Sequence, residues 1–249
     1  RMFLREGDRV PAEELFKGML VQSGNDAAFA LVERASGTLP VFVARMNAMA
    51  VELGLASTRF ANATGLNNPQ HYSSARDLTR LAVAVQRDFP EYAGWFALPE
   101  YRWSGIAQPN RNPLLRDPGV DGLKTGHTEA AGYCLVASAQ RDGMRLVATL
   151  LGTNSEQERA HSGRRLLDFG FRQFETRLLY RNGVPIATLP VWQGETDNVA
   201  LGVSRDTWIT LPRGGFAAFG AQAALPQTRL APVTRGETLG RLELVHNSQ

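Results

Sequence analysis

Two apolar runs flanking an Asp-Gly pair constrain this chain more than any other feature. Gly132–Gln140 and Met144–Leu151 are rich in Val, Leu, Ala and Thr, and Arg141-Asp142-Gly143 joins them. Asp-Gly accepts the positive φ that a tight hairpin turn demands, and that turn matches the natural twist of paired strands. The pattern predicts an antiparallel hairpin. A polar stretch then leads into a predicted helix from about Glu156 to Phe169, stopped at Gly170.

Upstream the signals are mostly helical. Arg1–Leu4 reads as a strand, followed by a Glu6-Gly7 turn. Pro11 and the acids Glu13 and Glu14 mark a helix start, with Leu15, Met19 and Leu20 as its apolar face. Gln22-Ser23-Gly24-Asn25 ends it, with Gly24 as the expected break. A second helix should run from Asp26 to about Arg34 and a third from about Val41 to Leu53, stopped by Gly54. Ser74-Ala75-Arg76-Asp77 resembles a capping box with Asp in place of Glu, and opens a helix with Leu78, Leu81, Ala82 and Val85 on one face. Tyr101-Arg102-Trp103 reads as a strand. After Phe174 short apolar runs alternate with Asn182-Gly183, Gln193-Gly194, Arg213-Gly214-Gly215 and Arg235-Gly236 turns, without a helical period. The expected organisation is an α/β (α+β) domain over residues 1–174 and a small all-β domain over 175–249.

The totals narrow the function. The 249 residues suffice for one large domain or one domain plus a small one. Hydrophobic residues at 43% and charged residues at 20% describe a globular chain rather than a disordered one. The net charge of +3 is small and spread along the chain, so no basic stripe points to nucleic acid. Twenty-five of the 27 basic residues are Arg, leaving Lys17 and Lys124 as the only lysines. A lysine in such a chain draws notice, because a compact ammonium can shift its pKa where a guanidinium does not. Cys134 is the only cysteine, which rules out an internal disulfide and a Cys-rich metal site. No run of about 18 apolar residues predicts a membrane-crossing helix, and no signal peptide is legible.

Two short motifs carry chemistry. Ser23-Gly24-Asn25 stands at a helix junction, and Lys124-Thr125-Gly126 precedes the hairpin. Either alone is weak, since Ser-Gly-Asn is a common turn and Lys-Thr-Gly suits a surface loop ahead of a strand. Together and in this order they match the last two of three motifs in active-site serine enzymes: Ser-x-x-Lys, Ser-x-Asn and Lys-Thr-Gly. Acyl transfer needs a proton relay, a cation in the pocket and hydrogen bonds to the substrate. A Ser hydroxyl, an Asn amide, a Lys ammonium and a Thr hydroxyl supply these, and the following strand can offer its backbone to an extended peptide.

The likeness extends further. Gln22–Ala27, Tyr72–Asp77, Asn110-Arg111-Asn112 and Val120–Thr128 resemble low-molecular-weight penicillin-binding proteins, the serine-type D-alanyl-D-alanine carboxypeptidases. Leu189–Gly194 and Leu211–Gly214 resemble that family's β-rich second domain. The resemblance implies a penicillin-binding transpeptidase/β-lactamase-like domain followed by a small all-β domain. It implies removal of the terminal D-Ala from peptidoglycan stem peptides through an acyl-serine intermediate, acylation by β-lactam antibiotics, and no metal or organic cofactor. It assigns Ser23, Asn25 and Lys124 to catalysis, and Thr125, Gly126, His127, Arg159 and Arg111 to substrate binding. His127 is equally readable as a structural loop histidine, and Arg159 as a solvated helix-face residue. Location would be the periplasm, peripheral to the inner membrane through a C-terminal segment not seen in this chain.

One departure matters. No serine in the chain has a lysine three positions on. The nucleophile is therefore expected in a segment preceding Arg1. A DD-endopeptidase or β-lactamase of the same fold shares the two motifs, and a non-catalytic cell-wall binding module is the reading from another class. A β-lactamase usually lacks a second domain like 175–249, and no local motif here places a deacylating carboxylate.

Overall fold

The computed structural model describes residues 1–246. It divides into two compact units, Arg1–Arg141 with Arg145–Gly170, and Phe171 onward with Asp142–Met144. The first unit opens with three helices, α1 (Ala12–Gln22), α2 (Asn25–Ser36) and α3 (Leu39–Glu52), followed by α4 (Ala75–Asp88) and the single turn α5 (Ala93–Phe96). A small hairpin follows, β1 (Glu100–Trp103) with β2 (Ile106–Pro109). Then come β3 (Val120–Thr128), β4 (Gly132–Arg141), β5 (Met144–Thr153) and the long α6 (Glu156–Gln173). The order β3-β4-β5 leaves β3 at the sheet edge. The expected turn is present, with φ of 49° at Asp142 and 79° at Gly143.

Two expectations fail around α6 and at the start of the chain. Gly170 does not stop the helix, which continues to Gln173. A Cβ at Gly170 would lie 2.5 Å from Leu146 Cδ1, and one at Gly163 would lie 3.0 Å from both Leu114 Cδ1 and Leu135 Cδ2. These two glycines, seven residues apart on one helical face, let α6 lie close on the sheet. Their role is proximity rather than termination. Arg1–Leu4 forms no strand. The N–H groups that would bond a neighbouring strand go instead to one carboxylate: Met2 N donates to Asp26 Oδ1 at 2.8 Å and Leu4 N to Oδ2 at 3.3 Å. Phe3 between them has φ 63°, which breaks the pleat.

That clasp seats Met2 in a core cluster with Leu15, Val21, Ala27 and Tyr101. Burying Met2 to 2% exposure is worth about 2 kcal/mol. A Cβ at Gly18 would meet Met2 Sδ at 2.7 Å, so α1 keeps a glycine where this side chain crosses it. Ser74 caps α4 by accepting from Asp77 N at 3.2 Å. The Asp77 carboxylate meets the Ser74 side chain and accepts from Ser57 N at 2.7 Å and Thr58 Oγ1 at 2.8 Å, pinning the loop before the helix; among the described residues no bond to the Ser74 backbone N–H completes a capping box.

Burial by itself would raise the Asp26 pKa, but the backbone N–H groups of Met2, Leu4 and Ala27 outweigh it and hold the carboxyl below its ordinary value. Its contribution to stability is full above the unfolded carboxyl's pKa and is lost as pH falls through the folded one. Asp26→Ala should cost about 1–2 kcal/mol at neutral pH, because part-buried backbone donors lose a charged acceptor. Urea unfolding at pH 7 and pH 3 checks this, with the gap between wild type and variant closing at the lower pH.

The second unit is β-rich. β6 (Phe174–Tyr180) pairs with β9 (Thr207–Pro212), β7 (Pro185–Trp192) with β8 (Asn198–Gly202) and β11 (Arg229–Leu230), and β10 (Phe219–Ala224) with β12 (Arg241–His246). Among its described residues, after the end of α6, the helical segment is a short 3₁₀ turn at Gly215–Ala218. Among the described residues no single helix is long and apolar enough to cross a membrane.

Candidate active site

The junction of α1 and α2 and the middle of β3 build one site. α1 ends on Ser23, which takes the left-handed conformation at φ 56° and ψ 44°. The sequence pointed to Gly24 for this break, but Gly24 is extended at φ −66°. A Cβ at Gly24 would lie 3.1 Å from Asp26 Oδ1, 3.2 Å from Gly18 O and 3.3 Å from Met2 N. Crowding demands the glycine there, so the chain reverses one residue earlier, on the motif serine. A non-glycine residue held at positive φ marks strain that the surroundings must sustain.

Lys124-Thr125-Gly126 precedes the β4–β5 hairpin as expected, and itself lies within a further strand, β3. Register pairs Lys124 with Val136, Thr125 with Leu135, Gly126 with Cys134 and His127 with Tyr133. Alternation along the strand puts Lys124 and Gly126 on one face, Thr125 and His127 on the other. From its face Lys124 reaches Ser23: Nζ donates to Ser23 Oγ, across 101 sequence positions, and to Thr125 O at 2.7 Å. Asn25 opens α2 beside them, half-buried, and its amide has no hydrogen bond among the described residues. The two motifs thus meet in space.

The electrostatics of the site are one-sided. Burial pushes the Lys124 pKa down to about 8, and the Arg111 and Arg159 guanidiniums push the same way. No carboxylate pairs with Lys124 or Arg111 among the described residues. Arg159, from the first turns of α6, is 3% exposed, so the solvated helix-face reading fails. Its Nη2 donates to Arg111 O at 3.3 Å, its one carboxylate neighbour is Glu156 at 3.9 Å, and its buried Nε has no partner. Three cations with one distant acid leave a site short of negative charge. A buried donor without an acceptor is costly unless a ligand supplies one.

The remaining positions fall around this cluster. His127 is exposed on β3 rather than in a loop, and stacks on Tyr133 with ring centroids 4.0 Å apart. Arg159 also lies over the Tyr133 ring, its Cζ 5.7 Å from the ring centre. Sequence reasoning missed Tyr133. The hairpin register, once known, would have paired it with His127. Thr125 is buried, and its hydroxyl has no hydrogen bond among the described residues. A Cβ at Gly126 would meet nothing nearer than Cys134 Cβ at 4.0 Å, so chain packing does not demand this glycine. Asn112, 3% exposed, donates to Gly122 O at 3.0 Å and accepts from Leu114 N at 3.1 Å, fixing the segment that carries Arg111 against β3. The outer edge of β3 has no strand partner among the described residues, so its N–H and C=O groups can receive an extended peptide. No group of three His, Cys, Asp or Glu side chains among the described residues could hold a metal ion.

Comparison with known proteins accords with this geometry. Residues 1–155 match the family model described as D-alanyl-D-alanine carboxypeptidase, and residues 174–249 match that of the penicillin-binding protein 5 C-terminal domain. The chain is 39% identical to the D-alanyl-D-alanine carboxypeptidase DacD of Salmonella typhimurium, over 98% of this chain and 63% of the relative. It is 40% identical to DacA of Escherichia coli K12, over 97% of this chain and 60% of the relative. The chain therefore spans about three-fifths of the length of these curated relatives. The crystal structure of penicillin-binding protein 5 from Haemophilus influenzae superposes with a TM-score of 0.87 at 37% identity, covering 100% of this chain and 74% of that one. With both motifs meeting across a helix junction and an edge strand, and the family model spanning more than half its length, the chain belongs to the D-alanyl-D-alanine carboxypeptidase family.

Proposed function

We propose that this chain forms the substrate-holding part of a serine-type D-Ala-D-Ala carboxypeptidase site. The reaction removes the terminal D-Ala of a peptidoglycan stem peptide through an acyl-serine that water hydrolyses, and a β-lactam acylates the same serine. The attacking serine is not among the motif residues here, since no Ser-x-x-Lys occurs in the chain. In this reading the peptide lies along the edge of β3. Ser23, hydrogen-bonded to Lys124, passes a proton to the leaving D-Ala amine, and Asn25 holds the peptide carbonyl. Thr125, Arg159 and Arg111 receive the terminal carboxylate, with Gly126 leaving room and His127 forming a wall. Such a protein works at the cell wall, in the periplasm and peripheral to the inner membrane.

The observation that carries the proposal is Arg159: a buried guanidinium whose Nε lacks an acceptor, beside Lys124 and Arg111. A carboxylate with two acceptor oxygens fits that vacancy, and charge-assisted bonds of this kind are strong. The test is calorimetric or NMR titration of the chain with an N-acyl-D-Ala-D-Ala peptide and with its C-terminal amide. The acid should bind at least tenfold more tightly. Arg159→Gln should reduce acid binding to the level of the amide while leaving the amide unaffected. Equal affinity for acid and amide in the wild type sinks the assignment.

A further inference from the structure

The β-rich unit contains a cleft that the reaction does not use. From Phe171 onward, Phe171 and Leu189 are the only buried hydrophobic side chains among the described residues. The other inward-facing aliphatics stop half-buried, around a cavity of about 900 Å³. Its walls include Ile186 from β7, Val199 and Leu201 from β8, and Leu242 from β12. Three loops also line it, Asn182–Val184, Val203–Arg205 and Val233–Gly240. Ligand cavities commonly run from roughly 300 to 1,000 Å³ with apolar walls and a few polar groups to orient the ligand.

The charges around the cavity are unbalanced. Glu237 is the only acid lining the cavity, and it is already engaged by Arg229 at 2.8 Å. Arg241 pairs with Glu243 at 2.7 Å. Arg205 and Arg235 also line the cavity and are exposed, and their guanidiniums have no hydrogen bond or ion pair among the described residues. Aliphatic walls beneath two unengaged guanidiniums complement one kind of molecule. We propose that this cleft binds a free single-chain amphiphile, an alkyl chain ending in an anionic head group. The chain lies against Val199, Leu201 and Leu242, and the head meets Arg205 and Arg235. Three loops at one end of paired sheets are a common place for binding surfaces, since a rigid frame holds them while their sequences vary.

The probe is laurate below its micellar concentration, titrated into the whole chain and followed by methyl NMR. The expected result is saturable shifts at Val199, Leu201 and Leu242, with dodecyltrimethylammonium binding at least tenfold more weakly. Arg205→Glu combined with Arg235→Glu should weaken laurate at least tenfold. Both positions are exposed, so the fold should persist, and unchanged methyl spectra without ligand verify it. Equal binding of the cationic amphiphile, an unaffected double variant or shifts confined to other residues would each overturn the proposal. Binding to anionic phospholipid vesicles without any response to laurate would overturn it too, by making the site a bilayer contact. None of these outcomes depends on the carboxypeptidase reading, which the D-Ala-D-Ala titration tests separately.

Discussion

Incubated with a penicillin, the 249-residue chain should gain no covalent mass. Acylation needs a hydroxyl with a base beside it. Ser23 is the only serine in a catalytic motif, and its neighbour is Lys124, which donates to Ser23 Oγ. With a pKa lowered to about 8, Lys124 is still mostly ammonium at pH 7, and an ammonium is a donor rather than a base. Both hydrogen bonds made by Lys124 also hold its charge in place. Without a nucleophile, what remains of such a site is binding and electrostatic stabilisation. Non-covalent binding of the β-lactam carboxylate at Lys124, Thr125 and Arg159 should therefore persist. Intact-mass spectrometry after incubation at pH 7 and pH 9, with NMR on the same samples, separates the two effects. An adduct mapped to Ser23, growing faster above pH 8 as Lys124 loses its proton, would make Ser23 the attacking group and overturn the role proposed for it.

Replacing Lys124 should strengthen the fold while emptying the site. In the unfolded chain the lysine titrates at its ordinary value of 10.5, and in the folded chain at about 8, chiefly because of burial and then because of Arg111 and Arg159. The folded state therefore binds the proton less tightly. Between about pH 8 and pH 10.5 the unfolded state holds more protons, so stability rises with pH through that window; below pH 8 the full penalty is present. The difference corresponds to at most about 3 kcal/mol. Lys124→Gln removes the penalty but also the hydrogen bonds to Ser23 and Thr125, leaving an expected gain of about 1–2 kcal/mol at pH 7. Lys17 acts with the opposite sign, because hydrogen bonds to Glu13 and Glu14 hold it above its ordinary value despite partial burial. It is unchanged in the variant, so the difference between the two proteins isolates Lys124. Urea unfolding at pH 7 and pH 10 should show the variant more stable at the first and the gap narrowed at the second. Peptide acid binding should fall at least tenfold in the variant. A variant less stable at pH 7 would mean that Lys124 is held by attraction rather than tolerated for function.

Much of this architecture is local and therefore legible in the residues themselves. Asp142-Gly143 dictates the hairpin turn because few other pairs accept its dihedrals. The change from helical spacing to short runs between glycine turns suggests a boundary near Phe174, whereas the compact units divide after Gly170 and the second takes in Asp142–Met144. Ser23-Gly24-Asn25 and Lys124-Thr125-Gly126 stand out in the sequence as a pair, and Lys124 does meet Ser23 in the fold. Tertiary packing decided the rest. Helix stops and close approaches both select glycine, so only the contact with Leu146 tells that Gly170 is the second kind. Arg1–Leu4 has a strand-like composition, yet a carboxylate 24 positions after Met2 takes its amides. That Lys-Thr-Gly itself lies within a strand depends on its pairing with β4. The burial of Arg159, its unpartnered Nε and the depressed pKa of Lys124 arise from three chain segments meeting in space. Desolvation and repulsion of that kind grow with spatial proximity, and no spacing along a single segment records them.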